Sequence, residues 1–438
     1  MRERLTGWGR TAGSVAEVVR PETEADVVEQ LAGARAVVAR GLGRSYGDAA
    51  QVGGGVVLDN RGLSARSPVG VDGVVTLGAG VSIDELLTMA LPLGWFVPVT
   101  PGTRQVTIGG AVAADVHGKN HHVDGSFANH VRAMRLVTPT GVHTLSRTME
   151  PELFWATFGA MGLTGIVTEV TLAMLRVRSD RVLVDTDRFD DLDAVMAAMV
   201  EGDERYRYSV AWVDCMARGR RMGRSILTRG VHATDEDARE APRAARLAVP
   251  VVAPAGLLNP VTITAFNELW FRRARHRVGA PESIGAFFHP LDGLRDWNRL
   301  YGPRGFVQYQ FAVPERAGDT VVEAIRRLSQ SRAPSFLAVL KRFGPANPAP
   351  LSFPQPGWTL ALDLPVGPVA LAPLLDELDE LVVGAGGRVY LAKDSRLAPA
   401  TVRAMYPRLG EFAALADTID PERRLTSDLA RRLRLREG

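Results

Sequence analysis

Residues 101–122, PGTRQVTIGGAVAADVHGKNHH, decide how this chain is read. Pro101, Gly102 and Thr103 open a turn, and Gly109 and Gly110 carry no Cβ, so the backbone there can lie against a ligand. After the apolar Val112 and Val116, the run His117-Gly118-Lys119-Asn120-His121-His122 crowds polar groups onto the end of the segment. Five of the eight histidines (His117, His121, His122, His130 and His143) fall within this neighbourhood. A glycine turn feeding a polar cluster suits a flat or phosphorylated cofactor, because polar groups converge at binding sites. A metal site and a solvated loop are the two other readings. The histidine spacing is not the HExxH of a helix-borne zinc site, and the single cysteine, Cys215, excludes a cysteine-rich one.

A second glycine segment lies upstream. Ala36-Val37-Val38-Ala39 reads as a short buried strand, followed by RGLGRSYGD over residues 40–48. Successive backbone N–H groups of such a loop, with Arg44 and Ser45 adding donors, suit a pyrophosphate. It is not a Rossmann fingerprint. The third glycine, Gly47, comes one position late, and residues 51–60 (QVGGGVVLDN) are glycine-rich and then β-like where a helix would be needed.

A length of 438 residues predicts more than one domain, and 46% hydrophobic residues suffice for a sizeable core. A net charge of +3, with no stacking array or binding motif, gives no support to nucleic-acid binding. Lone Cys215 cannot form an intrachain disulfide, which fits a reducing compartment. The opening MRERLTGWGR lacks an apolar signal core, so the expected location is cytoplasmic or peripheral at the cell membrane. One stretch, residues 247–267 (LAVPVVAPAGLLNPVTITAFN), carries no charge, but Pro250, Pro254 and Pro260 argue against a continuous helix. Arg239, Arg243 and Arg246 precede it and Arg272, Arg273, Arg275 and Arg277 follow. The expectation is a helix-poor apolar flap between basic clusters, resting on an anionic membrane surface or admitting a lipid tail; a buried loop is the alternative.

Residues 14–20 predict a strand and 21–31 a helix begun by Pro21. Ser82 and Glu85 form a capping-box pattern for a helix over 83–91, and GIVTEVTLAML (165–175) alternates like a half-buried strand. Beyond about residue 178, helices (190–202, 318–330, 372–384) and aromatic-rich strands (206–214, 305–314) predict an antiparallel sheet with helices on one face. Residues 398–417 and 421–435 read as helices. The fold class is α+β.

RGLGRSYGD, VTLGAGVSIDELL (75–87), PGTRQVTIGGAVAADVHGKNHH and FGAMGLTGIVTEVTL (158–172) together resemble the PCMH-type FAD-binding domain of the vanillyl-alcohol-oxidase superfamily. FFHPLD (287–292), WNRLYGPRGFVQYQF (297–311), LKRFGP (340–345), PLSFPQPGW (350–358) and YLAKDSR (390–396) are similar to one branch, the decaprenylphosphoryl-ribose 2′-oxidases of actinobacteria. The resemblance implies an FAD-binding domain over 1–178, a substrate domain over 179–387 and a return to the FAD domain over 388–438. It implies oxidation of a polyprenylphosphoryl ribose to its 2′-keto sugar. A separate NAD(P)H-dependent reductase would complete epimerisation to the arabinose donor for cell-wall arabinan, and a quinone or oxygen would take the electrons. A flavin oxidase of another sugar or alditol, and a glycolipid-binding protein without flavin, are the alternatives.

By motif match, Arg40, Gly41, Gly43, Arg44, Ser45 and Tyr46 hold the FAD pyrophosphate. Gly102, Thr103, Gly109, Gly110, Ala113 and His117 line the path to the flavin, Gly162, Thr164, Gly165 and Ile166 complete it, and Tyr390 lies near the ring. Lys393, His117 and Tyr46 are the candidate catalytic residues; Gln310, Lys341, Thr359, Ala361, Phe288 and Lys119 are the candidate substrate contacts. Lys341 or Arg342 would pair a substrate phosphate, and a Lys393–Asp394 surface ion pair is the bland alternative for Lys393. Relatives that bind flavin covalently commonly use a histidine in a Gly-His-Ser pattern, whereas Gly43-Arg44-Ser45 stands here, so FAD is expected to be non-covalent. No metal is expected. Mycobacterial members carry Asn and Cys where Thr359 and Ala361 stand, and a Tyr where Phe288 stands.

Overall fold

The computed structural model describes residues 1–234, 240–243, 245, 247–367 and 370–437. Arg239 and Arg246 of the predicted basic cluster lie outside the described residues.

The chain opens with a four-stranded sheet in the order Arg2–Thr6, Gly13–Val19, Val56–Asp59, Val37–Arg40. Its last three strands run parallel, and helix Glu24–Gly33 makes the crossover. That helix begins after Pro21, at Thr23, whose hydroxyl accepts from Asp26 N–H while the Asp26 carboxylate accepts from Thr23 N–H. A second, antiparallel sheet orders Val74–Gly78, Ile166–Ala173, Val131–Thr138 and Gly141–Ser146. Helix Ile83–Ala90 carries the expected Ser82/Glu85 capping box.

An eight-stranded antiparallel sheet fills the middle of the chain. Its order is Arg277–Ser283, Arg181–Phe189, Ser225–His232, Tyr208–Val213, Ala338–Phe343, Gly357–Pro365, Phe306–Pro314 and Arg388–Val389. Helices Gly318–Ser331 and Leu371–Gly384 pack on its Gly357–Pro365 and Phe306–Pro314 strands. Phe306–Val313 is buried on both faces, because Tyr309 turns toward Asp379 of the second helix while Gln308 and Gln310 turn toward a cavity.

The chain then returns. Leu425 bridges to Val37 of the first sheet, and Arg432 pairs with Asp48 at 2.7 Å. Two helix expectations are corrected here. Residues 398–417 split into Pro399–Met405 and Leu409–Ile419 around Pro407. Residues 421–435 are helical only over Asp428–Leu433, because 424–426 runs beside Val37 as an added strand-like segment. A third concerns the uncharged stretch. Pro260 sits at the first helical position after Asn259, which caps it, so Pro260–Arg273 is a regular helix rather than a helix-poor flap.

Candidate active site

A cavity of about 610 Å³ lies between the two glycine loops and the large sheet. Gly41, Gly43, Arg44, Ser45 and Tyr46 form one end. The loop packs against the turn that starts helix Ile108–Ala113: a Cβ on Gly41 would fall 2.2 Å from the Oγ1 of Thr107, the residue that caps that helix. Arg40 does not face the cavity. Its guanidinium donates to Thr6 O at 2.8 Å and Ala50 O at 3.0 Å and braces the loop from behind, close under Gly43, whose φ is +65°. Arg44 stacks over Trp8 at 3.8 Å, and its buried Nε has no protein partner.

Gly102, Thr103, Gly109, Gly110, Ala113 and His117 line the middle of the cavity, with Gly162 and Gly165 opposite. Thr164 and Ile166 stand behind that wall. Thr164 donates to Thr157 Oγ1 at 3.2 Å, and Ile166 is fully buried at the start of its strand.

At the far end His117, Lys119, Phe288, Gln310, Lys341, Ala361, Tyr390 and Lys393 converge from six separate stretches of chain. His117 Nδ1 is 3.2 Å from Lys341 Nζ and its Nε2 is 3.1 Å from Gln310 Nε2. Burial and the neighbouring cations hold His117 well below its ordinary pKa, so it is neutral. Thr359 is fully buried behind Gln310, from whose Nε2 it accepts at 3.1 Å. Tyr390 donates to Ala114 O at 2.7 Å. The Lys393 nitrogen sits 4.1 Å over the Tyr46 ring. Asp394, offered as its surface partner, instead accepts from Arg432 at 2.9 Å. Burial lowers the pKa of Lys393, and the buried Asp363 carboxylate opposes that fall. Lys341 has no such help: burial, Lys393 and Lys119 bring it to about 7. Arg342 points to the other face, pairing with Asp203 and Glu315, so of the two only Lys341 reaches the cavity.

Two properties of the wall stand out chemically. Arg44, Lys119, Lys341 and Lys393 line it, and among the described residues no Asp or Glu does. Beyond Lys341, the cavity continues between Val210, Trp212, Phe336 and Val339 toward Phe266 and Trp270 on the Pro260–Arg273 helix. His121 and His122 turn elsewhere, His121 accepting from Gly344 N–H and His122 contacting Tyr206 O. Among the described residues no three His, Cys, Asp or Glu side chains gather as a metal site.

The FAD binding domain family matches residues 15–146. The chain is 43% identical to decaprenylphosphoryl-beta-D-ribose oxidase of Mycolicibacterium smegmatis, over 99% of this chain and 98% of that one. This chain belongs to the decaprenylphosphoryl-β-D-ribose oxidase family. It is 42% identical to an uncharacterised protein of Streptomyces coelicolor, over 81% of this chain and the whole of that one. It is also similar to an alditol oxidase of a Streptomyces species, at 26% identity over 99% of both. It is an FAD-dependent oxidoreductase of α+β fold.

The cavity accommodates FAD on its own terms. A Cβ added to Gly102 or Gly162 would meet no atom within 4 Å, so both open onto free space. The unpartnered Arg44 Nε and the absence of carboxylates from the described wall suit a pyrophosphate. Sequence reading missed Asp363, which accepts from Gln308 Nε2 and from Tyr301 OH at 3.2 Å. A signal was there: Asp363 follows Thr359 and Ala361 at the two-residue period of one strand face. Trp8, Trp212 and Phe336 gave none, since each reaches the cavity only through tertiary packing.

Proposed function

We propose that this protein oxidises the 2′-hydroxyl of a polyprenylphosphoryl-β-D-ribose to the 2′-keto sugar. The observation that carries this reading is the wall itself, with the cations Arg44, Lys119 and Lys393, no carboxylate among the described residues and an apolar branch at one end. Two phosphate-bearing molecules, a dinucleotide and a lipid phosphate, account for the cations; the branch through Trp212 and Phe336 accounts for the lipid. A free alditol would use neither. Residues 1–178 and 388–438 would form the FAD-binding half and 179–387 the substrate half.

FAD, when bound, supplies the acceptance of two electrons from the sugar carbon. The protein supplies position and charge. Lys393, kept cationic by Asp363 and the Tyr46 ring, stabilises negative charge that develops beside it. Neutral His117 orders Lys341 and Gln310 on the substrate side. Lys119, bonded to Phe287 O and lying 4.3 Å over the Phe287 ring, offers its remaining donors to a phosphate. An NAD(P)H-dependent reductase would use the keto sugar, and a quinone or oxygen would remove the electrons.

Among the described residues no helix is long and apolar enough to cross a membrane. Helix Pro260–Arg273 nonetheless exposes Val261, Phe266, Leu269 and Trp270, with Arg272 and Arg273 in its last turn. That face, at the open end of the apolar branch, is proposed to rest on anionic lipid so that the polyprenyl tail need not leave the bilayer. Leu269→Glu with Trp270→Glu would then abolish sedimentation with anionic vesicles.

The decisive experiment is anaerobic visible absorbance of the holoenzyme before and after a short-chain polyprenylphosphoryl ribose. Bleaching of the flavin bands is expected. Bands that persist with this substrate but bleach with a free alditol would overturn the substrate assignment.

A further inference from the structure

The hydrogen-bond chain behind the cavity defines where protons sit. The Thr359 hydroxyl has one hydrogen and donates it to Phe311 O at 2.8 Å. Its oxygen is therefore an acceptor toward Gln310, which presents its amide nitrogen at 3.1 Å. That same nitrogen lies 3.1 Å from His117 Nε2. An NH2 group facing a ring nitrogen requires that nitrogen to be the bare one, so the single hydrogen of neutral His117 is on Nδ1. Nδ1 faces Lys341 Nζ at 3.2 Å. An N–H cannot donate to an ammonium; it can donate to an amine.

We propose that Lys341, held uncharged by the Nδ1–H form of His117, is the base that takes the proton of the substrate hydroxyl, and that Thr359 sets this state through Gln310. The proposal rests on the oxidation reading above. The charged and titratable surroundings agree with it. His117 touches Lys341; Lys393 and Lys119 repel a charge there; His121 lies nearby and is neutral at ordinary pH. The neighbouring carboxylates Asp203 and Glu315 are engaged by Arg342 on the opposite face. Lys341 and Lys393 thus divide the work, Lys393 with Asp363 as the cation and Lys341 as the amine. The Lys341 lone pair, in long contact with His117, turns to the substrate hydroxyl. The O–H bond breaks and Lys341 becomes an ammonium. The carbon loses its hydrogen and two electrons to bound FAD and a C=O double bond forms.

Thr359 and Gln310 are positioning residues, and the test reads charge state apart from turnover. Competitive acetylation of the substrate-free holoenzyme across the neutral and alkaline range, read peptide by peptide, gives the titration midpoint of each lysine. Lys341 is expected to titrate at about 7, below Lys393. A midpoint above that of Lys393 would overturn the proposal. Thr359→Val, which keeps the β-branch, should raise the Lys341 midpoint by about one unit, and Thr359→Ser should not; an unmoved midpoint in Thr359→Val removes Thr359 from the argument. In the half-reaction, Lys341→Met should retain FAD yet slow substrate-driven bleaching by about 100-fold or more, and ethylamine should restore part of the rate to Lys341→Ala. A wild-type rate in Lys341→Met would overturn the base assignment. A wild-type holoenzyme that no polyprenylphosphoryl ribose bleaches would sink the substrate reading instead, while the labelling still decides the charge on Lys341.

Discussion

The Lys393 nitrogen sits 4.1 Å over the Tyr46 phenol ring, and Tyr46 N–H donates to the carbonyl of the preceding residue, Ala392, at 2.9 Å. The glycine loop at residues 40–48 thereby supports the lysine proposed to face the substrate. Removing the ring by Tyr46→Leu forfeits about 1–2 kcal/mol of cation stabilisation. The Lys393 pKa then falls by about one unit, since each unit is worth about 1.4 kcal/mol. A cation lost at lower pH brings the alkaline decline of activity to lower pH by the same amount. Tyr46→Phe keeps the ring, and its alkaline limb should stay in place. The pH profile of flavin bleaching distinguishes the two.

Gly41 leaves no room for a methyl group, because a Cβ there would lie 2.2 Å from Thr107 Oγ1. Gly41→Ala should push the two cofactor loops apart and yield protein with a several-fold lower ratio of flavin to protein absorbance. Gly384→Ala, at a helical position where a Cβ meets nothing within 4 Å, is the matched control and should retain FAD.

His117 is the only histidine on the described wall, which holds no cysteine, and both of its ring nitrogens are engaged. The described wall therefore offers the flavin neither a free imidazole nitrogen nor a thiol. Acid precipitation should leave a colourless pellet and a yellow supernatant; a yellow pellet would show a covalent link.

Ala361 lines the cavity, at the position where the family resemblance implies a cysteine in mycobacterial members. Cys215 is fully buried elsewhere, with its thiol pushed far above its ordinary pKa by burial. Treatment of the folded protein with a thiol-alkylating reagent should leave the intact mass unchanged. Ala361→Cys should gain one adduct mass, and adduct formation on the unaltered chain would contradict this placement.

Much of this architecture could be read from local chemistry. The Ser82/Glu85 cap, the period-two strands and the two glycine loops each depend on residues close in sequence, and the structure has them where the pattern puts them. What escaped is what distance in sequence hides. Arg40 looked like a phosphate ligand, yet the carbonyls of Thr6 and Ala50 claim its donors. Pro260 looked like a helix breaker, and only the cap at Asn259 turns it into a helix starter. Asp363 shares a strand face with Thr359 and Ala361, but its partners Gln308, Tyr301 and Lys393 are brought to it only by the fold.

The reactive end is assembled across long stretches of chain. His117 meets Gln310 across 193 residues and Lys341 across 224, and Tyr390 reaches Ala114 across 276. Contacts so remote in sequence carry a loop-closure entropy cost and slow folding. Flavin captured at this end of the cavity therefore reports that stretches 193 to 276 residues apart have come together.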